Sequence, residues 1–432
     1  MAASLGRVLI AGAGPAAFQT ARIIKNQCEQ LGIVNRSSKR WQPMFECLNS
    51  EGSAQVIAAK PSLEPLAGQV KFDVAFADLP ATDGQWDTLV LATPSHAYSD
   101  VLAALPKSCL GSVKQVVLIS SLFGGHKLVK GFFAELDLAP NVLVFSNYFA
   151  ATKFSAGEAG VSVTTKAAKK RIYAYSSAYS SQSGCAVLNL LAQTLAKVGV
   201  KVVELDNGYS VEGRNITSYV HPAFFITPFS LNHILSDSGD IKYMYKLFPE
   251  GPVTTETIHT LVELWRDIST LTQHFDGTPF NLLQFLNDDN YPVHPETIRR
   301  DQIDQFMSLS AIEQEYLIYV RYSAILIDPF STPDANGRYF DFSAVPYAKG
   351  KVENGKLHLP RVPKEDLQTL YWFKALADEQ GIELPTVNRV LGIFESWLSE
   401  HDLPNHLIEE FHTQASNCLH WVRRSTDLLR KP

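Results

Sequence analysis

The sequence predicts an α/β protein in which an N-terminal Rossmann-type domain with a parallel sheet precedes a mostly helical C-terminal domain. Short β-branched runs alternate with helical patterns through the first half of the 432 residues, as in βαβ units. A glycine-rich turn follows the first of these runs. Beyond Tyr209 the helical stretches become longer. We therefore assign residues 1–207 to a nucleotide-binding domain and residues 208–432 to a mostly helical substrate and catalytic domain.

The candidate strands of the first domain are short apolar runs bounded by turn residues. They cover residues 7–11, 32–35, 88–92, 115–120, 142–146, 161–165, 171–175 and 200–205. The basic turn 166–170 separates two of these runs, which predicts a hairpin at the edge of the sheet. The apolar residues of 187–195 keep helical spacing, and Gly199 is the expected end of that helix.

The second domain contains longer amphipathic patterns. Helices are predicted over residues 254–275 and 308–326, with Pro- and Gly-containing turns at 247–252 and 328–337. The last seventy or so residues are again helical, with aromatic and leucine positions on one face. That face predicts packing or dimerisation, and we expect a homodimer.

Composition excludes several classes of partner. Hydrophobic residues are 46% and charged residues 19% of the chain, typical of a well-packed globular protein. A net charge of -6 and a pI near 6.1 give no basic field for nucleic acid or anionic lipid. No apolar run is long enough for a membrane helix. The five cysteines form no CxxC pair, which predicts reduced thiols, a soluble cytoplasmic protein and no metal site.

The turn after the first strand fits the dinucleotide-binding pattern G-x-G-x-x-A. Gly12 permits the tight turn, and Gly14 lets the backbone approach a pyrophosphate. Pro15 and Ala16 begin the following helix, whose N-terminal amides would face the phosphates. Ala17 is small enough for that helix to lie against the strand. A purely structural turn is the alternative, but the flanking strand and helix favour a nucleotide site.

The second strand ends in a basic loop instead of the acidic residue usual for NAD. Arg36, Lys39 and Arg40 follow this strand, and no carboxylate lies among residues 35–40. Guanidinium and ammonium groups suit a 2′-phosphate, so the sequence predicts NADP(H). A solvated basic loop is the alternative.

Small residues follow the next strands of the predicted sheet. Thr93 and Pro94 come directly after one strand, and residues 120–125 and 147–148 follow two others. Ligands bind beyond the carboxyl ends of parallel strands, so these loops are candidates to surround ribose and nicotinamide. Ordinary loop chemistry explains each of them equally well.

Several segments of the second half resemble the opine-metallophore dehydrogenases, the family that makes staphylopine, pseudopaline and yersinopine. They are residues 219–222 (Tyr-Val-His-Pro), 245–252 (Tyr-Lys-Leu-Phe-Pro-Glu-Gly-Pro), 322–330 and 339–343. The resemblance covers nearly the whole chain. It implies an NADPH-dependent condensation of the primary amine of a histidine-derived aminobutyrate intermediate with an α-keto acid, followed by reduction of the imine. The product of such a reaction is an opine that chelates transition metals.

The resemblance also implies roles for individual residues. His221 matches the proposed acid/base of the family, and imidazole titrates near neutral pH, as imine formation requires. Ala151 departs from the pattern, because the staphylopine-forming enzymes have an aspartate there. More distant opine dehydrogenases orient their histidine with an aspartate and bind a substrate carboxylate with an arginine. By spacing, Asp328 and Arg321 are the candidates; a turn cap and a surface ion pair are their alternative roles.

Two other functions stay open on the sequence, and a third has no support in it. A hydroxyacid or glycerol-phosphate dehydrogenase would carry a catalytic lysine motif in its second domain, and Lys246 keeps that alternative open. A regulatory protein would bind NADP without turnover. A metal-binding protein lacks support, because no His/Cys cluster is present in the sequence. The choice between pyruvate and 2-oxoglutarate depends on a few pocket contacts and is left open.

Overall fold

The computed structural model of the chain describes residues 4–155, 160–178, 185–290, 292–326 and 345–427. The chain forms two compact units, which we describe separately. The first comprises Met1–Arg214 and Asn417–Pro432, and the second comprises Asn215–Ser416. The end of the chain thus groups with the first unit, although the sequence assigned it to the second domain. The functional division at residue 207 stays a prediction.

The first unit is built on a large, mostly parallel sheet. The strands of the first unit are β1 (Gly6–Ala11), β2 (Cys28–Val34), β3 (Ser53–Ala58), β4 (Gly68–Lys71), β5 (Val74–Phe76), β6 (Thr88–Leu91), β7 (Gln115–Leu118), β8 (Asn141–Phe145), β9 (Ala150–Phe154), β10 (Ser162–Ala168), β11 (Arg171–Ser176) and β12 (Lys201–Glu204). Eight of them form one sheet in the order β12-β11-β8-β7-β6-β1-β2-β5. All neighbours in it run parallel except β8 and β11. The predicted Rossmann-type sheet is confirmed.

The central strands are buried on both faces, which explains why they read as continuous apolar runs. Val8, Leu9 and Ile10 of β1 are at most 1% exposed, and Val116 and Leu118 of β7 are fully buried. Strands of parallel sheets covered on both sides have this composition. These strands could be predicted from the sequence because a strand that is buried on both faces consists almost entirely of apolar residues.

The predicted hairpin over residues 161–175 is wrong. β10 lies in a separate four-stranded sheet of order β4-β3-β10-β9, whereas β11 pairs with β8 and β12 in the large sheet. Val163 is buried in the first of these sheets and Ala174 in the second. The basic turn is therefore a crossover between two sheets. An alternating pattern of apolar and polar residues predicts a strand, but it does not predict which other strand of the chain will pair with it.

The helices of the first unit cover both sheets. They are α1 (Pro15–Ile24), α2 (Gln42–Glu51), α3 (Tyr98–Ala104), α4 (Lys107–Leu110), α5 (Gly125–Glu135), α6 (Ala186–Ala196) and α7 (Gly208–Glu212). Phe18 of α1 packs edge-on against Phe72 and Phe154, with ring centroids 5.9 and 6.4 Å away. This apolar anchoring fixes α1 against the smaller sheet. Gly199 lies three residues after the end of α6 and has a φ of 82°, in the left-handed region expected of a glycine that follows a helix.

The rest of the chain is mostly helical, as predicted. The helices are α8 (Val220–Phe225), α9 (Pro228–Leu235), α10 (Thr255–His274), α11 (Leu282–Asp288), α12 (Arg300–Asp304), α13 (Ala311–Leu326), α14 (Arg361–Gln380), α15 (Pro385–Glu400) and α16 (His406–Asp427). One hairpin interrupts them, formed by β13 (Lys351–Glu353) and β14 (Lys356–His358). Thr254 caps α10 through a capping box with Thr257.

The end of α16 packs on α5 within the first unit. The Trp421 ring lies 5.1 Å from that of Phe132. A Cβ at Gly131 would lie 1.7 Å from the Trp421 carbonyl oxygen, so only glycine lets the two backbones approach this closely. This contact explains why the last residues belong to the first unit. None of the helices in the described ranges has both the length and the apolar composition needed to cross a membrane.

Candidate active site

The first glycine of the motif stands where three strands of the large sheet converge. Gly12 has a φ of 119°, and a Cβ there would lie 2.6 Å from the carbonyl oxygen of Ala92, which follows β6. Its amide donates to the carbonyl of Val34, at the end of β2, over 2.7 Å. Both the dihedral angle and the contact exclude a side chain. The turn predicted from the sequence is therefore sterically required.

The second glycine has the opposite surroundings. A Cβ at Gly14 would meet no atom within 4 Å. Gly14 is the residue that precedes α1, Pro15 and Ala16 begin the helix, and no side chain in the described ranges caps it. Ala17 is fully buried against the core. The space beside Gly14 at the start of α1 is thus open where a side chain would lie, an arrangement suited to the approach of a phosphate group.

A buried hydroxyl group lies beside this turn. Thr93 Cγ2 is 3.2 Å from the position that a Cβ at Gly12 would occupy. The Thr93 Oγ1 atom is buried, and no hydrogen-bond partner for it exists among the residues that the structure describes. Pro94 is exposed and starts the next turn. Since an unsatisfied buried hydroxyl is costly, a bound polar ligand would recover its hydrogen bond. The surroundings fit a dinucleotide.

The basic loop after β2 is exposed. Arg36, Lys39 and Arg40 are all solvent-accessible, and the Arg40 guanidinium lies 4.7 Å from the centroid of the Trp41 ring. The loop also contacts an acid that sequence reasoning did not consider, because the Ser37 amide donates to Asp78 over 3.3 Å. Within the described ranges no carboxylate forms an ion pair with Arg36 or Lys39. Their charges are available to an anionic ligand at the end of β2.

His221 of α8 is the centre of a second cluster, in the second unit. Its Nδ1 lies 3.2 Å from Asp366 Oδ1, and its Nε2 lies 3.1 Å from the Tyr245 hydroxyl. The imidazole side chain is 20% exposed, whereas that of Asp366 is 5% exposed. The histidine thus has a buried carboxylate on one side and a phenol on the other, with part of its ring open to solvent.

Burial and charge act against each other at Asp366. Burial raises the pKa of this carboxyl above its ordinary value, and the nearby His221 partly opposes the shift. The second carboxylate oxygen, Oδ2, is buried without a hydrogen-bond partner in the described part of the chain. An acid so poorly solvated is stabilised in its charged form mainly by His221. The pair is therefore coupled: a proton on the imidazole favours the Asp366 carboxylate.

The chemical capacity of this cluster follows from the tautomer that it selects. A carboxylate accepts a hydrogen bond, so the Nδ1 of a neutral His221 carries the proton and Nε2 has the lone pair. Nε2 can then accept a proton, and the resulting imidazolium is stabilised by Asp366. The cluster has the properties of a general acid/base.

Comparison with known proteins identifies the family. The family model described as staphylopine dehydrogenase matches residues 6–418. The chain belongs to the staphylopine dehydrogenase family. Pseudopaline synthase of Pseudomonas aeruginosa (strain UCBPP-PA14) is 39% identical over 398 residues, which are 92% of this chain and 90% of that protein. Staphylopine synthase of Staphylococcus aureus (strain Mu50 / ATCC 700699) is 36% identical over 397 residues, 91% and 90% of the two chains.

Solved structures agree with this membership. The structure of yersinopine dehydrogenase with NADP+ bound superposes with a TM-score of 0.86 at 31% identity, covering 97% of this chain and 99% of that one. Octopine dehydrogenase with NADH and agmatine gives a TM-score of 0.63 at 13% identity, covering 91% and 89%. At this low identity, the similarity to octopine dehydrogenase shows only that the two proteins share a fold. The family resemblance seen in the sequence is confirmed.

Three further residues were singled out by the resemblance of the sequence to the staphylopine dehydrogenase family, and the structure describes two of them. Asp328 lies outside the described residues. Arg321 is 2% exposed and donates from Nη2 to the Leu286 carbonyl over 2.7 Å, so the alternative of a surface ion pair is wrong. Its role toward a substrate carboxylate stays a prediction. Ala151 is exposed on β9.

Sequence reasoning missed Asp366 and the hydroxyl of Tyr245. A signal for Asp366 was present in α14: it shares one helical face with Pro363, Leu370 and Phe373, all buried. A carboxylate in an otherwise apolar stripe indicates a buried partner. Tyr245 lies in one of the segments that resemble the family, but nothing in its sequence neighbourhood indicates contact with His221.

One group of three potential metal ligands occurs among the described residues. His259, Glu263 and Glu315 place one ligand atom each within 4.8 Å of one another. His259 Nδ1 pairs with Glu315 at 2.9 Å, and Glu263 pairs with Arg266 at 2.7 Å. These side chains satisfy one another and an arginine, so we assign no metal to them.

Proposed function

We propose that this protein is an NADPH-dependent opine dehydrogenase. It condenses the primary amine of a histidine-derived aminobutyrate intermediate with an α-keto acid, pyruvate or 2-oxoglutarate, and reduces the imine to an opine metallophore. Membership of the staphylopine dehydrogenase family supports this assignment. The observation that carries the chemistry is the contact of His221 with the buried Asp366 at 3.2 Å. The homodimer and the cytoplasmic location stay predictions.

The first unit supplies the residues that would hold the cofactor. The amides at the start of α1, beside Gly14, suit the pyrophosphate. Thr93 offers its buried hydroxyl, and the exposed Arg36 and Lys39 offer charge to the 2′-phosphate. When bound, NADPH supplies the reducing equivalents for the carbon–nitrogen double bond.

The second unit supplies the acid/base. At neutral pH an alkylamine is an ammonium ion and must lose a proton before its nitrogen can attack a carbonyl carbon. His221 accepts this proton through Nε2, since Asp366 keeps Nδ1 protonated. The imidazolium then returns a proton to the carbinolamine oxygen, which leaves as water. Both steps use one side chain in alternate protonation states.

Product analysis tests this assignment directly. The protein is incubated with NADPH, the histidine-derived amine and either pyruvate or 2-oxoglutarate, and the products are identified by mass. We expect NADPH oxidation with one keto acid and a product mass equal to amine plus keto acid, minus water, plus two hydrogens. A protein that binds NADPH and never oxidises it with either pair would instead be a sensor. Oxidation with a keto acid alone would indicate a hydroxyacid dehydrogenase.

We predict that Arg36→Ala lowers the preference for NADPH over NADH. Loss of a charge-assisted contact to the 2′-phosphate, about 2 kcal/mol, should reduce the ratio of kcat/KM values some tens-fold, through NADPH alone. The matched control is Lys197→Ala, an exposed cation at the opposite edge of the sheet, after α6. An unchanged ratio in Arg36→Ala would remove this loop from cofactor recognition.

We predict that Asp366→Asn lowers turnover by at least about tenfold. The amide retains the shape of the carboxylate but can donate to Nδ1, which places the histidine proton on Nε2 and blocks it as an acceptor. Steady-state NADPH oxidation measures the effect. Asp378→Asn is the control, because Asp378 is an exposed carboxylate on the same helix, paired with Lys374. Equal turnover in the two variants would show that Asp366 does not orient His221.

A further inference from the structure

Tyr245 covers the ring nitrogen through which His221 exchanges protons. The phenol oxygen lies 3.1 Å from Nε2. Both rings contact Phe225, with centroids 5.1 Å from it for His221 and 5.4 Å for Tyr245. Phe225 is fully buried. The two polar rings are therefore aligned by a common apolar neighbour from α8.

The backbone around Tyr245 is fixed by hydrogen bonds. The Tyr243 amide donates to the Glu250 carbonyl over 2.9 Å, and the Met244 amide donates to Val345 over 2.8 Å. A Cβ at Gly251 would lie 2.3 Å from the Lys246 carbonyl oxygen, so the turn closes tightly on itself. The position of the phenol is thus set by an ordered turn of the second unit.

The direction of the hydrogen bond follows from Asp366. With the carboxylate accepting from Nδ1, neutral His221 presents a lone pair at Nε2, so the Tyr245 hydroxyl donates to it. The phenol oxygen therefore lies between Nε2 and any group that approaches along the line of this hydrogen bond. A hydroxyl can both donate its proton and accept another one at its oxygen.

We propose that Tyr245 relays protons between the substrate and His221, an inference that rests on the proposed function. The ammonium N–H bond breaks and its proton bonds to the phenol oxygen, while the phenol O–H bond breaks and its proton bonds to Nε2. The amine nitrogen regains its lone pair and the phenol ends neutral. One proton leaves the substrate, one reaches the imidazole, and no electrons are exchanged.

The same relay runs in reverse when water leaves. The imidazolium gives its proton to the phenol oxygen as the phenol proton moves to the carbinolamine hydroxyl. The carbon–oxygen bond then breaks, water departs, and the nitrogen lone pair forms the double bond. His221 is neutral again, ready for the next amine.

The test is Tyr245→Phe, which removes the hydroxyl and keeps the ring packed on Phe225. Single-turnover NADPH oxidation should slow at least about tenfold, with NADPH affinity and melting temperature unchanged. Tyr243→Phe is the matched control on the same turn, and it should keep the wild-type rate. Replacing Tyr245 by 3-fluorotyrosine, which restores the hydroxyl, should recover most of the rate. A rate for Tyr245→Phe within about twofold of wild type would overturn the relay.

A proton inventory, in which the rate of NADPH oxidation is measured in mixtures of H2O and D2O, separates a relay from a structural role when wild type and Tyr245→Phe are compared. Two protons moving together give a bowed dependence of the rate on deuterium fraction, whereas one gives a straight line. We expect a bowed curve for wild type and a straight line for Tyr245→Phe. A straight line for wild type would overturn the relay. Retained turnover in His221→Ala would instead overturn the acid/base of the proposed function, so the two failures are distinguishable.

Discussion

Replacing His221 by alanine should lower turnover roughly a hundredfold or more, which is the usual loss for a general acid/base. The reason is that the variant lacks the imidazole that Asp366 and Tyr245 contact at 3.2 and 3.1 Å, which is the group proposed to exchange protons with the substrate. The alanine variant leaves amine deprotonation and water departure to solvent. Cofactor affinity should stay at the wild-type value, because the residues proposed to hold NADPH belong to the other compact unit.

Two measurements on the same samples decide the role of His221. NADPH oxidation is followed with amine and keto acid saturating, and cofactor binding is titrated separately. His259→Ala is the control, since His259 is an exposed histidine on α10 paired with Glu315. Near-normal turnover in His221→Ala would remove this residue from the mechanism. A loss of cofactor binding equal to the loss of rate would make its role structural.

The glycine-rich turn and the start of α1 could be predicted from the sequence because their residues are contiguous. Gly12, Gly14 and Ala17 lie within six residues; Gly12 is constrained by its backbone and Ala17 by its packing, whereas a Cβ at Gly14 would meet no atom within 4 Å. The dihedral angle of Gly12, at 119°, is a local requirement that only glycine meets easily. A structural requirement that depends only on neighbouring residues can therefore be predicted from a short sequence motif.

The partner of His221 could not be predicted in this way. Asp366 is 145 residues away in the chain, and only the packing of α14 against α8 brings the two together. Spacing favoured Asp328, which lies outside the described residues, so its own role stays a prediction. The prediction of a hairpin at residues 161–175 was wrong for a related reason. Which strands pair with one another depends on segments that are far away in the chain.

Gly14→Val should lower NADPH affinity about a hundredfold, because a side chain at the start of α1 would block the backbone amides that we propose bind the pyrophosphate. The fold should tolerate this change. A Cβ at Gly14 meets no atom within 4 Å, and the φ of -82° and ψ of 173° suit a β-branched residue. We expect a melting temperature within a few degrees of wild type, measured without cofactor, and a large loss in an NADPH titration.

Gly12→Ala is the informative contrast, because it differs from Gly14→Val in where the new carbon goes. The methyl group would lie 2.6 Å from the Ala92 carbonyl oxygen at a φ of 119°, so stability and cofactor binding should fall together. Loss of affinity without loss of stability should therefore occur only in Gly14→Val. If Gly14→Val bound NADPH as tightly as wild type, the start of α1 would not be the phosphate site. The G-x-G-x-x-A turn would then serve only to pack β1 against its neighbours.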